Sequence, residues 1–228
     1  GNLIARHYTA VDSYSDGTVN INIANGQQKG EAYRPGNNKV NIQGNLRTQG
    51  QWVGAGSGGY INVALTTPDS TFNGRADSGS YAKQAGWTSL WLQNGASWTN
   101  EAWGEPPDAY FGEDFSESHL KRLVGGESAD KAGHIFQKPG EDEDSEGINI
   151  RVDDYKGFTN IYYGHKEEKP TDILGGTFTV TKAQPGSGIT LITDSKGLNV
   201  DSSKAADKNL ASATLNALAN KLFYTAYK

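Results

Sequence analysis

The sequence predicts an all-β chain built as a parallel β-solenoid, with loop insertions and a short α-helix near its end. Three observations lead there. Four segments alternate apolar and polar residues, at Thr18–Ala24, Lys39–Gln43, Tyr60–Leu65 and Ser89–Gln93. Period-2 alternation marks half-buried strands. Val19, Val40, Ile61 and Leu90 align at offsets of 21, 21 and 29 residues, which suits one coil per 21 residues with an insertion near Asp77–Gln84. Asn and Gly, which tolerate φ > 0, stand where corners belong, at Asn25–Gly26, Gly36–Asn38, Asn73–Gly74 and Asn94–Gly95. An antiparallel sandwich would also alternate, and Asn-Gly pairs would serve its hairpins. The regular offset favours the solenoid.

Composition agrees. Gly contributes 29 residues, Asn 18, Ser 17 and Thr 17, while hydrophobics reach 35% and the mean hydropathy is -0.64. A thin core with many corners needs no more, because neighbouring coils pair each other's backbone groups. A conventional α/β enzyme is more apolar. The 5 Trp, 11 Tyr and 7 Phe argue against disorder. With no Cys there is no disulfide or thiolate site. No apolar run approaches the roughly 20 residues of a membrane span. With no Met, the chain is expected not to be a complete translated chain with its start. The net charge of -5 argues against a general nucleic-acid binder. The charge is uneven: Glu101–Pro170 holds 17 acids and 8 bases, the remainder 9 and 13. Solvated loops account for this belt first, and a binding role second.

Further strands follow at Ala96–Thr99, His119–Val124, Gly147–Val152, Thr159–Tyr163, Gly176–Val180 and Gly188–Ile192. Long connections at about 101–117 and 137–146 interrupt them, and a third runs from His165 to Asp172. The solenoid with its insertions is therefore expected over 1–200. Residues 201–228 form a helix that caps or flanks it, then a strand at Phe223–Tyr227. Asp201–Leu222 lacks Gly and Pro, and Ala211, Leu215, Leu218 and Leu222 fall on one helical face. Asp201, Ser202 or Ser203 would cap it.

The stretch Ser89-Leu-Trp-Leu-Gln-Asn-Gly-Ala-Ser-Trp-Thr-Asn100 resembles a motif of bacterial autotransporter adhesins, in which a strand leads through Asn-Gly-Ala into a Ser/Thr-Trp-Thr strand. Ser118–Leu123, Tyr155–Tyr163 and Leu174–Val180 follow in an order similar to pertactin and AIDA-type passengers. Gly186–Asp194 with Leu215–Tyr227 resembles modules of very large surface autotransporters of anaerobic Gram-negative bacteria. The resemblance covers about residues 89–228. It implies a right-handed β-helix, exported across an outer membrane to the cell surface, with an adhesive or aggregative role. The translocator barrel that would hold it at the membrane is absent from this chain. Lack of Cys suits passage through an oxidising periplasm.

Parity directs the search for a binding surface. Leu90 and Leu92 face inward, so Trp91 faces outward, covered by the 101–117 insertion or offered to a partner. Tyr162 faces outward between Ile161 and Tyr163. Trp103, Tyr110 and Phe111 lie in the acidic insertion, where rings beside carboxylates suit sugar stacking or a protein anchor. An insertion pinned by its own aromatics is the plainer reading. The expected function is a non-catalytic adhesin segment that binds a host or bacterial surface glycan or protein through lateral insertions. Self-association and a passive spacer are alternatives.

The enzymatic alternative is a polysaccharide-cleaving β-helix. It needs clustered carboxylates. Asp12 with Asp16, Asp69 with Asp77, and Asp153-Asp154 are the pairs, none with a matching base, and adjacent Asp153 and Asp154 should face opposite ways. No Gly-x-Ser-x-Gly elbow occurs, and Gly54–Gly59 reads as a corner. No cofactor is expected. Glu141, Asp142, Glu143 and Asp144 form the weak candidate for Ca²⁺, without EF-hand spacing, and read first as a solvated loop.

Overall fold

The computed structural model describes residues 1–14, 17–24, 33–49, 58–78, 86–104, 116–140, 147–193 and 203–226. The described residues are mostly strand, with one α-helix among them, α1 (Ala205–Ala219). In chain order the strands are β1 (Asn2–Tyr14), β2 (Thr18–Ile21), β3 (Ile23–Ala24), β4 (Arg34–Pro35), β5 (Asn41–Gln49) and β6 (Tyr60–Leu65). Next come β7 (Thr71–Asn73), β8 (Ala76–Ser78), β9 (Trp87–Leu92), β10 (Ser97–Asn100), β11 (Glu117–Val124) and β12 (Gly133–Gln137). The last are β13 (Asn149–Lys156), β14 (Phe158–Lys166), β15 (Lys169–Leu174), β16 (Phe178–Ala183), β17 (Gly188–Thr193) and β18 (Leu222–Ala226).

Two parallel sheets carry nearly all of them. The first runs β1-β5-β7-β10-β12-β14, with β17 also on β14, and the second runs β2-β6-β9-β11-β13-β16-β18. The chain visits them in turn. Each pass adds a strand to each sheet beside the previous pass, and one pass adds two to the first, β7 and β8, both on β5. Two short hairpins break the rule: β3 with β4, and β14 with β15, are antiparallel. The second hairpin replaces the loop expected from His165 to Asp172.

The 21-residue spacing is half a pass. Val19 pairs in register with Ile61, 42 residues along, on the second sheet. Val40 immediately precedes β5, on the first. Both sheets carry the same alternation, so a half pass imitated a full one.

The inner faces of the two sheets meet in one core. Ile42, Phe72, Trp98, Ile135 and Ile161 stack in register across the first sheet, all fully buried. Val63, Leu90, Leu123 and Tyr155 do the same across the second. Each such side chain contributes about 1.5–3 kcal/mol relative to leaving it exposed. Phe72 and Trp98 lie ring on ring, with centroids 5.7 Å apart and planes 13° from parallel. The indole Nε1 of Trp98 donates to the carbonyl of Gly74 at 2.9 Å, so its polar edge is not stranded in the core.

Glycine makes the bend beside this stack. Gly44 (φ 122) splits β5 into two directions, and a Cβ there would collide with Ala5 and Ala10. A Cβ on Gly74 would strike the carbonyl of Gly44. At the opposite corner Asn94 and Gly95 both take positive φ (55° and 79°), as the Asn-Gly pair predicts. A buried amide ladder closes another bend. Asn100 Nδ2 donates to Gln137 Oε1 and to the Ile148 carbonyl, both at 2.8 Å, and Ser118 Oγ donates to Asn100 Oδ1 at 2.7 Å.

The helix packs against β15 and β17, so it flanks the first sheet. Its buried face differs from the expected one. Leu218 is 5% exposed and Thr214 is buried, but Leu215 is 64% exposed, and Leu222 belongs to β18. Lys204 occupies the N-cap without a side-chain capping bond, in place of an Asp or Ser. The strand after the helix, β18, lies one residue earlier than expected at its start.

Candidate functional site

The outer face of the first sheet holds the best-defined cluster. Parallel register sets two rows across β10, β12, β14 and β17. One is Ser97, His134, Asn160 and Thr190; the other is Thr99, Phe136, Tyr162 and Ile192. Their outward parity follows from the buried residues between them: Ile135, Ile161 and Tyr163 all point into the core. Phe136 and Tyr162 stack, with centroids 4.8 Å apart and planes 19° from parallel, and Phe136 keeps 37% of its surface exposed. His134 meets the Tyr162 ring edge-on at 5.5 Å.

The tautomer of His134 follows from its neighbours. The Tyr162 hydroxyl lies 3.2 Å from Nδ1 and the Asn160 amide nitrogen 3.5 Å from it. Both can donate, so Nδ1 accepts and the proton sits on Nε2. Burial lowers the His134 pKa, which also favours the neutral ring. Nε2–H is then the ring's remaining donor. The strands β7, β10, β12 and β17 contain no Asp, Glu, Lys or Arg. The two rows carry no Asp, Glu, Lys or Arg, while Lys138 and Lys166 stand at the ends of β12 and β14; the rows are aromatic at their centre and edged by hydroxyls and an amide.

The second sheet carries an ion-pair network instead. Asp153 Oδ1 accepts from His119 Nε2 at 2.8 Å and Oδ2 from Lys121 Nζ at 2.8 Å. Arg151 donates through Nε to Glu117 Oε1 at 2.8 Å and lies 3.1 Å from His119 Nδ1. Burial pushes the Asp153 carboxyl up, but the bonds from His119 and Lys121, reinforced by charge, outweigh it and hold it down at about 2. Both nitrogens of His119 and both oxygens of Asp153 are engaged, so neither presents a group to an outside substrate. Asp153 and Asp154 do not face opposite ways. Both are half-exposed, between buried Val152 and Tyr155. The register opposite them passes from Leu120–Val152 to Arg122–Asp154, and both Lys121 and Arg122 stay at the surface, so strict alternation fails there. Asp154 faces Arg122 at 3.6 Å. A cleft of about 500 Å³ beside β1 and β2, lined by Leu3, Ile21, Val40, Asn20, Asn38 and Lys39 among others, holds no carboxylate and no His.

Among the described residues the expected aromatics do not converge. Trp91 has the expected outward parity but is only 5% exposed, and the Tyr33 ring covers it edge-on at 6.1 Å. Tyr33, just before β4, therefore supplies cover, and Trp91 offers no surface to a partner. Trp103 is half-buried, and its carbonyl accepts from Asn45 Nδ2 of β5 at 3.2 Å. The adjoining Gly104 (φ 68) lies against the His7 carbonyl. That end of the insertion rests on β1 and β5, away from Tyr162. Of the three that are described, Trp91, Trp103 and Tyr162, only Tyr162 joins the outer aromatic cluster. Tyr110 and Phe111 lie outside the described residues, as do Glu141, Asp142, Glu143 and Asp144. Among the described residues no group of His, Asp and Glu gathers as a metal site.

Phe136 and His134 escaped the sequence reading, which assigned no strand to 133–137. The signal was there: Gly-His-Ile-Phe-Gln alternates about Ile135 as Asn-Ile-Tyr-Tyr does about Ile161. No protein-family model, curated protein or solved structure matches the chain.

Proposed function

We propose that the chain is a segment of a right-handed parallel β-helix that serves as a non-catalytic, cell-surface adhesin module. Its binding surface is the outer face of the first sheet, and its ligand is a neutral glycan. The observation that carries this reading is the exposed Phe136–Tyr162 stack within two cross-strand rows that carry no Asp, Glu, Lys or Arg. The C–H face of a pyranose packs on such rings, and the His134 Nε2–H, Asn160 and Thr190 supply hydrogen bonds to its hydroxyls. The alternation of the chain between two parallel sheets supports the β-helix. The likeness of residues 89–228 to autotransporter passengers supports the adhesive role and the export.

A neutral-glycan array, followed by titration of the best hit, tests the function. Binding by the intact chain and its loss in Phe136→Ser and Tyr162→Ser support it. Binding that survives both substitutions removes this face from the reading.

A further inference from the structure

The second sheet presents a patch of different chemistry. Trp87 is 38% exposed at the start of β9, and its Nε1 donates to Ser89 Oγ at 2.6 Å, which fixes the plane of the indole. The Arg122 guanidinium carbon lies 5.7 Å from the centroid of that ring. Arg122 stands in register with Asp154, and Asp154 with Lys182, while Lys156 ends β13. Over residues 122–124, 154–156 and 182–183 there are three bases, Arg122, Lys156 and Lys182, and one acid, Asp154. Asp154 is shared: Gln184 Nε2 donates to it at 3.3 Å, and Arg122 Nε stays 3.6 Å away. That separation exceeds ordinary N–H···O distances, so the guanidinium fork keeps donor capacity.

The neighbouring network behaves otherwise. There Lys121 and Arg151 are matched one for one by Asp153 and Glu117 in short contacts. Local positive charge around Arg122 also runs against the chain as a whole, whose net charge is -5. A partly exposed indole fixed in its plane, with a guanidinium over the ring that keeps open donors, matches one kind of ligand. It is a sugar ring that carries a carboxylate or sulfate.

We propose that Trp87 and Arg122 form a second binding site, for an acidic saccharide, on the second sheet. The ring of the sugar stacks on Trp87, its anionic group takes the Arg122 fork, and Lys156 adds attraction at longer range. The site stands independently of the neutral-glycan reading, because it shares no residue with the Phe136–Tyr162 face.

The test is calorimetric titration of the full chain with oligogalacturonate (carboxylate), a sulfated dextran oligomer, neutral dextran and single-stranded oligothymidylate. Binding of at least one acidic saccharide is expected, weakening as salt rises. Arg122→Gln and Trp87→Leu should each reduce it by about tenfold or more. Arg122→Lys should fall between, since it keeps charge but not the fork. Phe136→Ser should leave it unchanged, while abolishing any neutral-glycan binding. Circular dichroism of each variant checks the fold. The proposal is overturned if neither acidic saccharide binds, if both substitutions leave binding intact, or if only the oligonucleotide binds.

Discussion

Phe136 and Tyr162, 26 residues apart in sequence, sit side by side on adjacent parallel strands, because β12 and β14 pair with Phe136 opposite Tyr162. Each alternates with a buried isoleucine in its own strand, and the register places the two rings side by side. Their stack should add about 0.5–1.5 kcal/mol beyond area burial, so Phe136→Ala or Tyr162→Ala should lower stability only modestly. Glycan affinity should fall far more than the urea midpoint. A double-mutant cycle in urea, run beside a binding titration, separates the two effects. A large stability loss with unchanged binding would make the stack a structural feature alone.

Acid should unfold the protein partly through Asp153. Its folded pKa of about 2 lies below the ordinary 3.8, so its contribution is fully present above the unfolded value. That contribution is lost as pH falls from about 5 towards 2, and the shift corresponds to about 2 kcal/mol. Asp153→Asn should be less stable at pH 7 and should show a flatter stability profile across that acid window. Tryptophan fluorescence in urea at a series of pH values reads both slopes. Parallel profiles would mean that the network around His119 does not hold the carboxylate down.

The Tyr33–Trp91 contact predicts a spectroscopic change. Tyr33→Ala should expose the indole and shift its emission to the red, with little effect on glycan binding. Trp91→Ser should destabilise the fold by about 2–4 kcal/mol, as loss of a buried aromatic does. Loss of glycan binding in Tyr33→Ala, with unfolding unchanged, would restore Trp91 as a contact residue.

Much of this architecture was legible because strand parity is local. Ile61, Leu90, Trp98 and Ile161 announce themselves through their polar neighbours, and each proves fully buried. The spacing was misread because it is not local. Val40 lies beside one sheet and Val19 on the other, and nothing in their own neighbourhoods says so. Strand β7 was missed because Thr-Phe-Asn is too short to show a period, although Phe72 anchors the core. The cover of Trp91 depends on a tertiary contact that no alternation encodes. The outward turn of both Asp153 and Asp154 arises where strict alternation breaks down between β11 and β13. The proposed binding face was half legible: parity marks Tyr162, and Phe136 through the alternation about Ile135, but only the register shows that the two rings meet.

The core stack gives a graded test. Trp98→Ala removes a fully buried ring from between Phe72 and Ile135 and should cost about 3–5 kcal/mol. Trp98→Phe keeps most of the volume but leaves the Gly74 carbonyl without its indole donor, an expected cost of about 1–3 kcal/mol. Equal losses in the two variants would show that the hydrogen bond, rather than packing, sets the importance of the position. Urea unfolding followed by circular dichroism decides it.

The helix offers the sharpest contrast, because its sequence placed Leu215 and Leu218 on the same buried face. The structure separates them: Leu218 packs with the core while Leu215 is 64% exposed. Leu218→Ala should therefore cost about 2–5 kcal/mol, and Leu215→Ala should stay within about 0.5 kcal/mol of the parent. Thr214, one residue before Leu215, is the buried polar member of the face and donates to the Leu210 carbonyl at 2.9 Å. Thr214→Val removes that bond inside an intact helix and should be nearly neutral, because the carbonyl keeps its helical partner position. Chemical unfolding of the three variants reads the face directly. Equal destabilisation by Leu215→Ala and Leu218→Ala would mean that the helix turns the other way on β15 and β17.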